Sequence, residues 1–411
     1  MIAERVRDGV EESGVPKRRW NVGMLFTHPI QYQVPLVRRL ASHPWINLSV
    51  YFMTDTGMRR KYVRGYGETI KWDIPLLDGY RHKFLKNVSW NPDSNRPWSK
   101  INPSIVWELR RDQLDVLILN GYSSVTEWLA YAAAKASGIP LLFRGDVLLR
   151  SISNMIPTAR LTDAARRAWC RGMDAVLSLS STATEYYEHY QMPRDRIFWT
   201  PLSVDNESWM RQADALAPRK DEVKAKLGLP AGLPVILFVA HMRANKRPLD
   251  VVEGARRAKT GASVVLVGNG PLYDEVRRHC SAEGLSNVYP VGAKNQTELP
   301  EYYAAADLFV LPSSAGEVTP LVIHEAMCFG LPLVMSDAIP SARDFVREGE
   351  NGHTFPVGDL DRLARCFDLI LSDETRRLAL GAKSRAIIGE WNYDVCVENT
   401  VNALALVTGG A

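Results

Sequence analysis

Residues 307–336 form the stretch DLFVLPSSAGEVTPLVIHEAMCFGLPLVMS. Two short apolar runs, DLFVLP (307–312) and LPLVMS (331–336), stand on either side of a loop and an apolar helical segment. Short apolar runs bounded by turn residues are typical of buried strands, and strands that alternate with helices form parallel sheets. This stretch therefore predicts an α/β fold built on a parallel sheet.

The same alternation of apolar runs and amphipathic segments occurs twice along the chain. The first group of predicted strands is NVGMLFT (21–27), DVLIL (115–119), PLLFR (140–144) and AVLSLS (175–180). After a polar segment near 205–232, the second group adds PVILFVA (234–240), ASVVLVG (262–268) and NVYPVG (287–292) to the two runs above. Residues 53–100 break the pattern with a stretch rich in Trp, Asn, Pro and Arg, which we expect to form loops over the first sheet.

Two sheets fit a chain of 411 residues, which is long enough for two domains of roughly 200 residues each. We expect a first Rossmann-like domain over residues 1–210, with residues 1–20 as a flexible tail. A second Rossmann-like domain is expected over residues 211–390, and a C-terminal helix within 391–411 is expected to pack back toward the first domain.

The composition favours a cytoplasmic protein. The five cysteines form neither a Cys-x-x-Cys pair nor a zinc-type spacing, which fits a reducing compartment. The charged N-terminus lacks the apolar segment of a signal peptide, and no window holds the roughly eighteen apolar residues of a membrane span. Residues 1–200 contain 28 basic and 19 acidic residues, which predicts either peripheral contact with an anionic inner membrane face or ordinary solvated charge.

The helical segment after the loop has a well-marked beginning. Thr319 is a good N-cap residue, and Pro320 suits the first helical position. The next backbone N–H groups, at Leu321 and Val322, would then project from the positive end of the helix dipole. Such an end is a ready site for a phosphate or diphosphate.

Two glutamates frame this helix N-terminus. Glu325 follows Leu321 by four positions, so it shares that face, and helical side chains lean toward the N-terminus. Glu317 lies on the incoming loop. The pair suits a ligand with an anionic centre and hydroxyl groups at both ends, which is the layout of a nucleotide sugar. The alternative is that Glu325 pairs with a core Arg or Lys and that Glu317 is a solvated loop residue.

A second candidate element is FVAHMRANKRPLDVVEGA (238–255), a strand, a basic loop and a helix. The loop carries His241, Arg243, Lys246 and Arg247, whose charges would face the same anion. A preorganised cation beside a leaving diphosphate lowers the reaction barrier. The alternative is an ordinary solvated loop.

These landmarks follow one another in a characteristic order. They are PLSVDNESW (201–209), FVAHMRANKRP (238–248), VGNGP (267–271), VGAKNQTELPEYYAAADLFVLPS (291–313), the Glu317 and Glu325 pair, and ENGHTFPVGD (350–359). In this order they resemble the donor domain of the retaining glycosyltransferase family 4, also called glycosyl transferases group 1. THPIQYQVPLVRRL (27–40) is similar to the opening of a bacterial subset of that family.

The resemblance implies the GT-B fold, in which two Rossmann-like domains with parallel sheets face each other across a cleft. It implies that Glu317 is the catalytic residue near the donor sugar, that Glu325 holds the ribose hydroxyls and that Lys246 contacts the diphosphate. The other implied donor-binding residues are His241, Val291, Lys294, Thr319, Leu321 and Val322. The candidate acceptor-side or cleft residues are His28, Gln31, Tyr32, Arg144 and Asp146, whose alternative role is loop packing and helix capping.

The activity implied is transfer of a sugar from a nucleotide diphosphate sugar to an acceptor hydroxyl, with retention of anomeric configuration. The resemblance implies no essential metal and no cofactor besides the co-substrate, and an oxygen of the departing phosphate would help deprotonate the acceptor. We expect a carbohydrate, lipid-linked or small-molecule acceptor, in polysaccharide, glycolipid or glycoconjugate biosynthesis, and no nucleic-acid partner.

Three other functions compete with this one. A nicotinamide-dependent oxidoreductase is disfavoured, because GNGPLY (268–273) has Tyr273 where the dinucleotide fingerprint needs a third glycine. A sugar-nucleotide epimerase of the same fold and a non-catalytic nucleotide-sugar-binding protein remain alternatives. Asp359-Leu360-Asp361 matches a metal-binding Asp-x-Asp pattern, but its place at a helix start favours capping.

Overall fold

The computed structural model describes residues 18–56, 58, 61–63, 68–70, 75–92, 96–149, 157–314 and 317–409. Residues 1–17 of the predicted flexible tail lie outside these ranges. Trp20 begins the first strand and is 2% exposed, so any such tail ends before it.

The N-terminal half contains nine strands in its described part. They are β1 (Trp20–Phe26), β2 (Ile46–Phe52), β3 (Lys61–Val63), β4 (Glu68–Ile70), β5 (Arg81–Phe84), β6 (Val116–Leu119), β7 (Leu141–Phe143), β8 (Ala175–Ser178) and β9 (Ile197–Trp199). Seven of these strands form one parallel sheet in the order β5-β2-β1-β6-β7-β8-β9, while β3 and β4 form a separate antiparallel pair. The helices here are α1 (Val34–Ser42), α2 (Ile105–Arg111), α3 (Val125–Ala136), α4 (Pro157–Arg171) and α5 (Ser181–His189).

The C-terminal half builds a second parallel sheet. Its strands are β10 (Val235–Val239), β11 (Ser263–Val267), β12 (Val288–Gly292), β13 (Leu308–Leu311), β14 (Leu333–Ser336) and β15 (Gly352–Phe355), in the order β12-β11-β10-β13-β14-β15. The helices are α6 (Asn206–Leu216), α7 (Lys220–Lys226), α8 (Pro248–Arg257), α9 (Tyr273–Ala282), α10 (Leu299–Ala305), α11 (Leu321–Cys328), α12 (Ala342–Phe345), α13 (Leu360–Leu371), α14 (Glu374–Gly389) and α15 (Tyr393–Thr408). The predicted α/β architecture with two parallel sheets is therefore confirmed.

All nine strands predicted from apolar runs are present, but the prediction that residues 53–100 form only loops is wrong. This segment contains β3, β4 and β5, and β5 pairs with β2 in the sheet. The sequence of β5, RHKF, is polar because β5 is an edge strand with mostly exposed side chains. Edge strands need no continuous apolar run, so the hydrophobic pattern misses them.

The last helix, α15, packs on the N-terminal sheet although α14 belongs to the C-terminal half. Tyr393, Cys396 and Leu404 of α15 lie in one hydrophobic cluster with residues of β1, β2 and β8. The Tyr393 hydroxyl donates to the carbonyl oxygens of Tyr32 and Ser203, at 2.8 and 3.1 Å. Within the described ranges, no helix combines the length and the apolar character that a bilayer-spanning segment requires.

Each sheet has a point at which the strand order reverses. Parallel strands present their carboxyl ends at one edge, and ligands of open α/β sheets bind where neighbouring loops diverge from that edge. In the N-terminal sheet this switch point lies between β1 and β6, and in the C-terminal sheet it lies between β10 and β13. The loops after these four strands are therefore the places to look for a site.

A buried carboxylate joins three elements of the C-terminal domain just before β13. Asp307 is 5% exposed, and its oxygens accept from Lys220 Nζ at 2.9 Å and from the backbone N–H of Val235 at 2.8 Å. Arg377 Nε of α14 lies 3.3 Å from the same carboxylate. Burial alone would raise the pKa of Asp307, but the neighbouring lysines hold it below its ordinary value. Asp307 therefore connects α7, β10 and α14.

We expect the variant Asp307→Ala to lose about 3–5 kcal/mol of unfolding free energy, because it leaves buried cations without their counter-charge. Urea unfolding followed by circular dichroism measures the loss. An exposed control, Glu374→Ala, should change the unfolding free energy by less than about 0.5 kcal/mol. Equal stabilities for the two variants would contradict the role given to Asp307.

Candidate functional site

The loops after β10 and β13 meet at the switch point of the C-terminal sheet. The backbone N–H of Ser314 donates to the carbonyl oxygen of Asn245 at 2.8 Å. Next to this bond, the Lys246 ammonium forms an ion pair with the Glu317 carboxylate, with side chains only 18% and 13% exposed. Two residues that the sequence places 71 positions apart are thus adjacent in space.

The charge of this pair depends on two opposing effects. Burial, assisted by the nearby Arg243, lowers the pKa of Lys246 to about 8. The Glu317 carboxylate acts in the opposite direction, because a neighbouring negative charge favours the ammonium form. Lys246 therefore stays charged at neutral pH and offers a cation for an anionic ligand.

Two glycines hold the β10 loop against the loop after β11. Gly268 and Gly270 have backbone φ angles of 139° and 149°, which residues other than glycine rarely adopt. A Cβ on Gly268 would stand 2.0 Å from the carbonyl oxygen of Ala240, and one on Gly270 would stand 2.6 Å from Nδ1 of His241. The VGNGP landmark is therefore a packing requirement that fixes the position of His241.

The helix α11 begins one residue later than the sequence predicts. Its N-cap is Pro320, with φ −77° and ψ 112°, and no side chain caps it, so the assignment of Thr319 as N-cap is wrong. The Thr319 hydroxyl instead donates to Asp146 of the N-terminal domain, at 3.4 Å. Leu321 and Val322 are the first two helical residues, and N–H groups at these positions have no acceptor inside a helix.

Glu325 lies on the first turns of α11 and is 7% exposed. The hydroxyl of Tyr303, from α10, donates to its Oε2 atom at 2.7 Å. This neutral partner takes the place of the core Arg or Lys that the alternative interpretation required. Burial raises the pKa of Glu325 to about 7, and the Tyr303 hydrogen bond offsets part of this effect. A ligand with hydroxyl groups would supply the further donors that a buried carboxylate needs.

Val291 and Lys294 lie at the β12 edge of the same sheet. Val291 belongs to β12 and is half-buried, and Lys294 follows in the next loop. Lys294 Nζ lies 5.7 Å from the centre of the Tyr302 ring and 3.5 Å from Glu298. Both residues are therefore two strands away from the switch point.

The candidate residues of the N-terminal domain fall into two places. His28 follows β1 at the N-terminal switch point, and its Nδ1 atom lies 2.9 Å from the Thr27 hydroxyl. Burial, with Lys100 as a second cause, lowers the pKa of His28. Gln31 and Tyr32 lie on the same loop and are half-buried.

Arg144 follows β7 and is 4% exposed. Its Nη1 atom donates to Oε1 of Gln33 at 2.8 Å, and burial lowers its pKa. Gln33 is one of the residues that the sequence did not single out, although it sits beside Tyr32. Arg144 thus holds the loop after β1 through its hydrogen bond to Gln33.

Asp146 is the contact between the two predicted groups of site residues. It is exposed, and its Oδ1 atom accepts from the hydroxyl of Thr319, two residues before α11. Desolvation by the surrounding protein raises the pKa of Asp146 to about 6, and the Thr319 hydrogen bond and the nearby Arg144 offset part of this effect. The structure therefore brings the loop after β7 to the N-terminus of α11.

The other residues that the sequence did not reveal are Tyr303, Asn245 and Asn269, which hold the site through hydrogen bonds from neighbouring elements. In the part of the chain that the structure describes, no three His, Cys, Asp or Glu side chains are grouped to hold a metal ion. Asp359 accepts from the backbone N–H of Arg362 at 2.8 Å, so its predicted capping role is confirmed.

The raised pKa of Glu325 gives a test of its burial. The native carboxyl holds its proton up to about pH 7, against an ordinary value of 4.5, so its contribution to stability is full below 4.5 and is lost as the pH rises through about 7. Glutamine at this position carries no titrating proton. Glu325→Gln should therefore gain about 2 to 3 kcal/mol of unfolding free energy relative to wild type between about pH 5 and pH 8.

Urea unfolding of the ligand-free protein at both pH values measures this gain. The matched control is Glu275→Gln, at an exposed glutamate of α9. A difference between Glu325→Gln and wild type that stays constant over this pH range would contradict the raised pKa.

Part of the chain is similar to a known protein family. Residues 219–387 match the model of the family described as glycosyl transferases group 1. The matched segment contains the basic loop, the glycine loop, Glu317 and the whole of α11.

Individual relatives align with a larger part of the chain than the family model does, at low sequence identity. The GDP-mannose-dependent alpha-(1-6)-phosphatidylinositol monomannoside mannosyltransferase of Mycobacterium tuberculosis is 25% identical over 59% of this chain. The 2-deoxystreptamine N-acetyl-D-glucosaminyltransferase of Streptomyces fradiae is 28% identical over 61% of this chain. The matches span 63% and 60% of the length of these two relatives.

Solved structures match nearly the whole chain. HepE (Alr3699) of Anabaena, in complex with UDP, superimposes with a TM-score of 0.71 at 15% identity and covers 94% of this chain and 99% of its own. A glycosyltransferase of Rickettsia africae gives a TM-score of 0.72 at 12% identity, covering 95% and 98%. The chain therefore has the GT-B fold, and its residues 219–387 are similar to the glycosyl transferases group 1 family.

Proposed function

We propose that this protein is a glycosyltransferase of family 4 that moves a sugar from a nucleotide diphosphate sugar to an acceptor hydroxyl with retention of anomeric configuration. The observation that carries the proposal is the set of charged side chains near the N-terminus of α11. Lys246, Glu317 and Glu325 all lie there, at the switch point of the C-terminal sheet. A cation, a helix N-terminus and two carboxylates match the diphosphate and hydroxyl groups of a nucleotide sugar.

The diphosphate would bind the backbone N–H groups of Leu321 and Val322. A helix N-terminus provides both free N–H groups and a positive dipole end for an anion. Lys246 would add a charge-assisted hydrogen bond, and His241 lies on the same loop. Thr319 would line the entry to the helix, beside Asp146.

The nucleoside would extend from the diphosphate toward the β12 edge. Glu325 would accept hydrogen bonds from the ribose hydroxyls. These two donors would satisfy a carboxylate that is buried away from water. The base would lie near Val291 and Lys294. Proton loss from Glu325 on binding follows from this arrangement, because donors stabilise the charged carboxylate.

Glu317 would act at the reaction centre as the catalytic residue. Its carboxylate would contact the donor sugar, and its ion pair with Lys246 would orient both side chains. In the transition state the departing diphosphate gains negative charge, which a preorganised cation stabilises. An oxygen of that phosphate would take the acceptor proton, so that neither a protein nucleophile, a metal nor a cofactor takes part.

The acceptor would enter from the N-terminal domain. His28, Gln31, Tyr32, Arg144 and Asp146 belong to loops at the carboxyl edge of that sheet. The relatives act, by their names, on a phosphatidylinositol monomannoside and on 2-deoxystreptamine, which supports a lipid-linked, carbohydrate or small-molecule acceptor. The place of action would be the cytoplasm, in polysaccharide, glycolipid or glycoconjugate biosynthesis.

A thermal-shift screen against UDP, GDP, ADP, TDP and their common sugars, each with and without magnesium, tests the donor site. A ligand that binds the native state raises the melting temperature according to its affinity. We expect one nucleotide family to stabilise the protein without magnesium. Stabilisation by NAD or NADP instead would favour an oxidoreductase.

Lys246→Ala should weaken binding of the nucleoside diphosphate found in that screen by about 10- to 100-fold, the effect of losing one hydrogen bond to a charged group. Titration calorimetry with the metal-free protein measures the affinity. Lys259→Ala, at an exposed position of the same domain, serves as the control and should bind normally. Unchanged affinity of Lys246→Ala would remove Lys246 from the site.

Glu317→Ala should abolish transfer, with a loss of at least about 10²-fold in kcat, because it removes a group that acts in the transition state. The assay is release of nucleoside diphosphate from the donor in the presence of acceptor. Glu275→Ala provides the matched glutamate control. Near-normal turnover of Glu317→Ala would refute its catalytic role, whereas nucleotide binding by wild type without turnover on any acceptor would favour the non-catalytic alternative.

A further inference from the structure

Arg247 has a backbone conformation that residues other than glycine rarely adopt. Its φ and ψ angles are 51° and 50°, in the left-handed region. This conformation is strained because it brings the Cβ atom close to the following carbonyl oxygen. Arg247 follows Lys246 directly and stands between a 3₁₀ turn (Ala244–Lys246) and α8. The strain therefore lies next to a residue of the candidate site.

Two other non-glycine residues of the described ranges have positive φ angles, and both have an ordinary explanation. Gln113 and Gln191, with φ angles of 46° and 64°, come immediately after the C-cap residues of α2 and α5. A left-handed residue after a C-cap is a common way to end a helix. Arg247 differs from both because Pro248 follows it. Proline favours an extended conformation in the residue before it, so the left-handed conformation of Arg247 is doubly unfavourable.

An ion pair holds the side chain of Arg247. Its Nε atom donates to Oδ2 of Asp250 at 2.6 Å. The backbone N–H of Asp250 donates to the carbonyl oxygen of Arg247 at 3.1 Å, so the two residues are joined through side chains and backbone. Asp250 lies in the first turn of α8, and the next two residues, Val251 and Val252, are buried in the core. Arg247 is thus attached to a helix that the core holds in place.

The guanidinium of Arg247 also lies against the loop between β15 and α13. A Cβ atom on Gly358, in that loop, would stand only 3.4 Å from Arg247 Nη2. The side chain therefore lies between α8 and this loop. The sequence predicts that its charge faces an anion together with Lys246, whereas in the structure the carboxylate of Asp250 is its partner.

The turn that carries Lys246 is also attached on its other side. The carbonyl oxygen of Asn245 accepts from the Ser314 backbone N–H at 2.8 Å and from the Ser314 hydroxyl at 3.3 Å. Within the turn, the N–H of Lys246 donates to the carbonyl oxygen of Arg243 at 2.9 Å. Lys246 therefore lies between one attachment at Asn245 and another at Arg247. Together they fix the backbone from which the Lys246 side chain extends.

We propose that Arg247 is a positioning residue that holds the Lys246 ammonium where the donor diphosphate binds. This inference rests on the proposed function. Strained backbone conformations persist only where the surrounding contacts impose them, and they concentrate at functional sites. Here the ion pair with Asp250 imposes the strained conformation, which sets the direction of the chain after Lys246. A cation that is fixed in place before the ligand binds can stabilise developing charge without reorganisation.

Titration calorimetry with UDP, GDP, ADP and TDP measures the effect of Arg247 on diphosphate binding. Arg247→Gly removes the ion pair but tolerates the left-handed backbone, so its melting temperature should not fall below that of wild type. Its affinity for the diphosphate that wild type binds should fall about tenfold, because the Lys246 turn loses one attachment. Arg247→Lys keeps a cation opposite Asp250 and should restore most of the affinity.

Asp250→Asn separates positioning from direct contact. If Arg247 itself bound the diphosphate, loss of its carboxylate partner would leave the affinity unchanged or raise it. A positioning role requires Asp250, so Asp250→Asn should weaken binding about as much as Arg247→Gly. In the Lys246→Ala background neither change should weaken binding further, because the effect passes through Lys246. The control is Glu253→Gln, which breaks the ion pair with Arg256 on the same helix and should bind like wild type.

Hydrogen exchange followed by mass spectrometry tests the same inference without any nucleotide. The amides of Lys246 and Arg247, both hydrogen-bonded within the turn, should exchange at least about tenfold faster in ligand-free Arg247→Gly and Asp250→Asn than in wild type. Unchanged exchange, or unchanged or stronger diphosphate binding by Asp250→Asn, would overturn the inference. If wild type binds none of the four diphosphates, the proposed donor site fails, and the exchange rates still decide whether Arg247 holds the Lys246 turn.

Discussion

The ion pair between Lys246 and Glu317 joins the two loops that leave the C-terminal sheet at its switch point. Its position depends on the parallel arrangement of β10 and β13, whose carboxyl ends place both loops at one edge. The bond from Ser314 to Asn245 and the close approach of Gly268 and Gly270 then fix the loops relative to each other. A cation and a carboxylate are thus held beside the N-terminus of α11 before any ligand binds, which is the preorganisation that stabilises developing charge.

The buried carboxylate of Glu325 is the second feature on which this site depends. Its carboxylate is buried in an apolar helix and accepts a hydrogen bond from a tyrosine hydroxyl. Burial disfavours the charged form of Glu325 and so raises its pKa, and hydrogen bonds from ligand hydroxyl groups would offset this cost. Strained or costly groups of this kind concentrate at functional sites.

The sequence predicts the inner strands, and it predicts those site residues that are close to each other along the chain. It misses the features that depend on contacts between residues far apart in the sequence. Apolar runs identify β10 and β13, and the spacing of Leu321 and Glu325 gives their shared helix face. Polar edge strands such as β5 have no such run. The local pattern predicts Thr319 as a helix cap, because it cannot reveal Asp146, which is 173 positions away. The Tyr303 partner of Glu325 is hidden for the same reason, since it comes from a different helix.

The contact between Asp146 and Thr319 brings the loop after β7 to the N-terminus of α11, so donor and acceptor groups would meet where the domains face each other. A crystal structure of the protein with the nucleoside diphosphate that stabilises it most would test this arrangement directly. We expect the diphosphate on the N–H groups of Leu321 and Val322, with Lys246 beside it and the ribose hydroxyls on Glu325. A nucleotide bound at the N-terminal switch point beside His28, with the α11 N-terminus unoccupied, would contradict it.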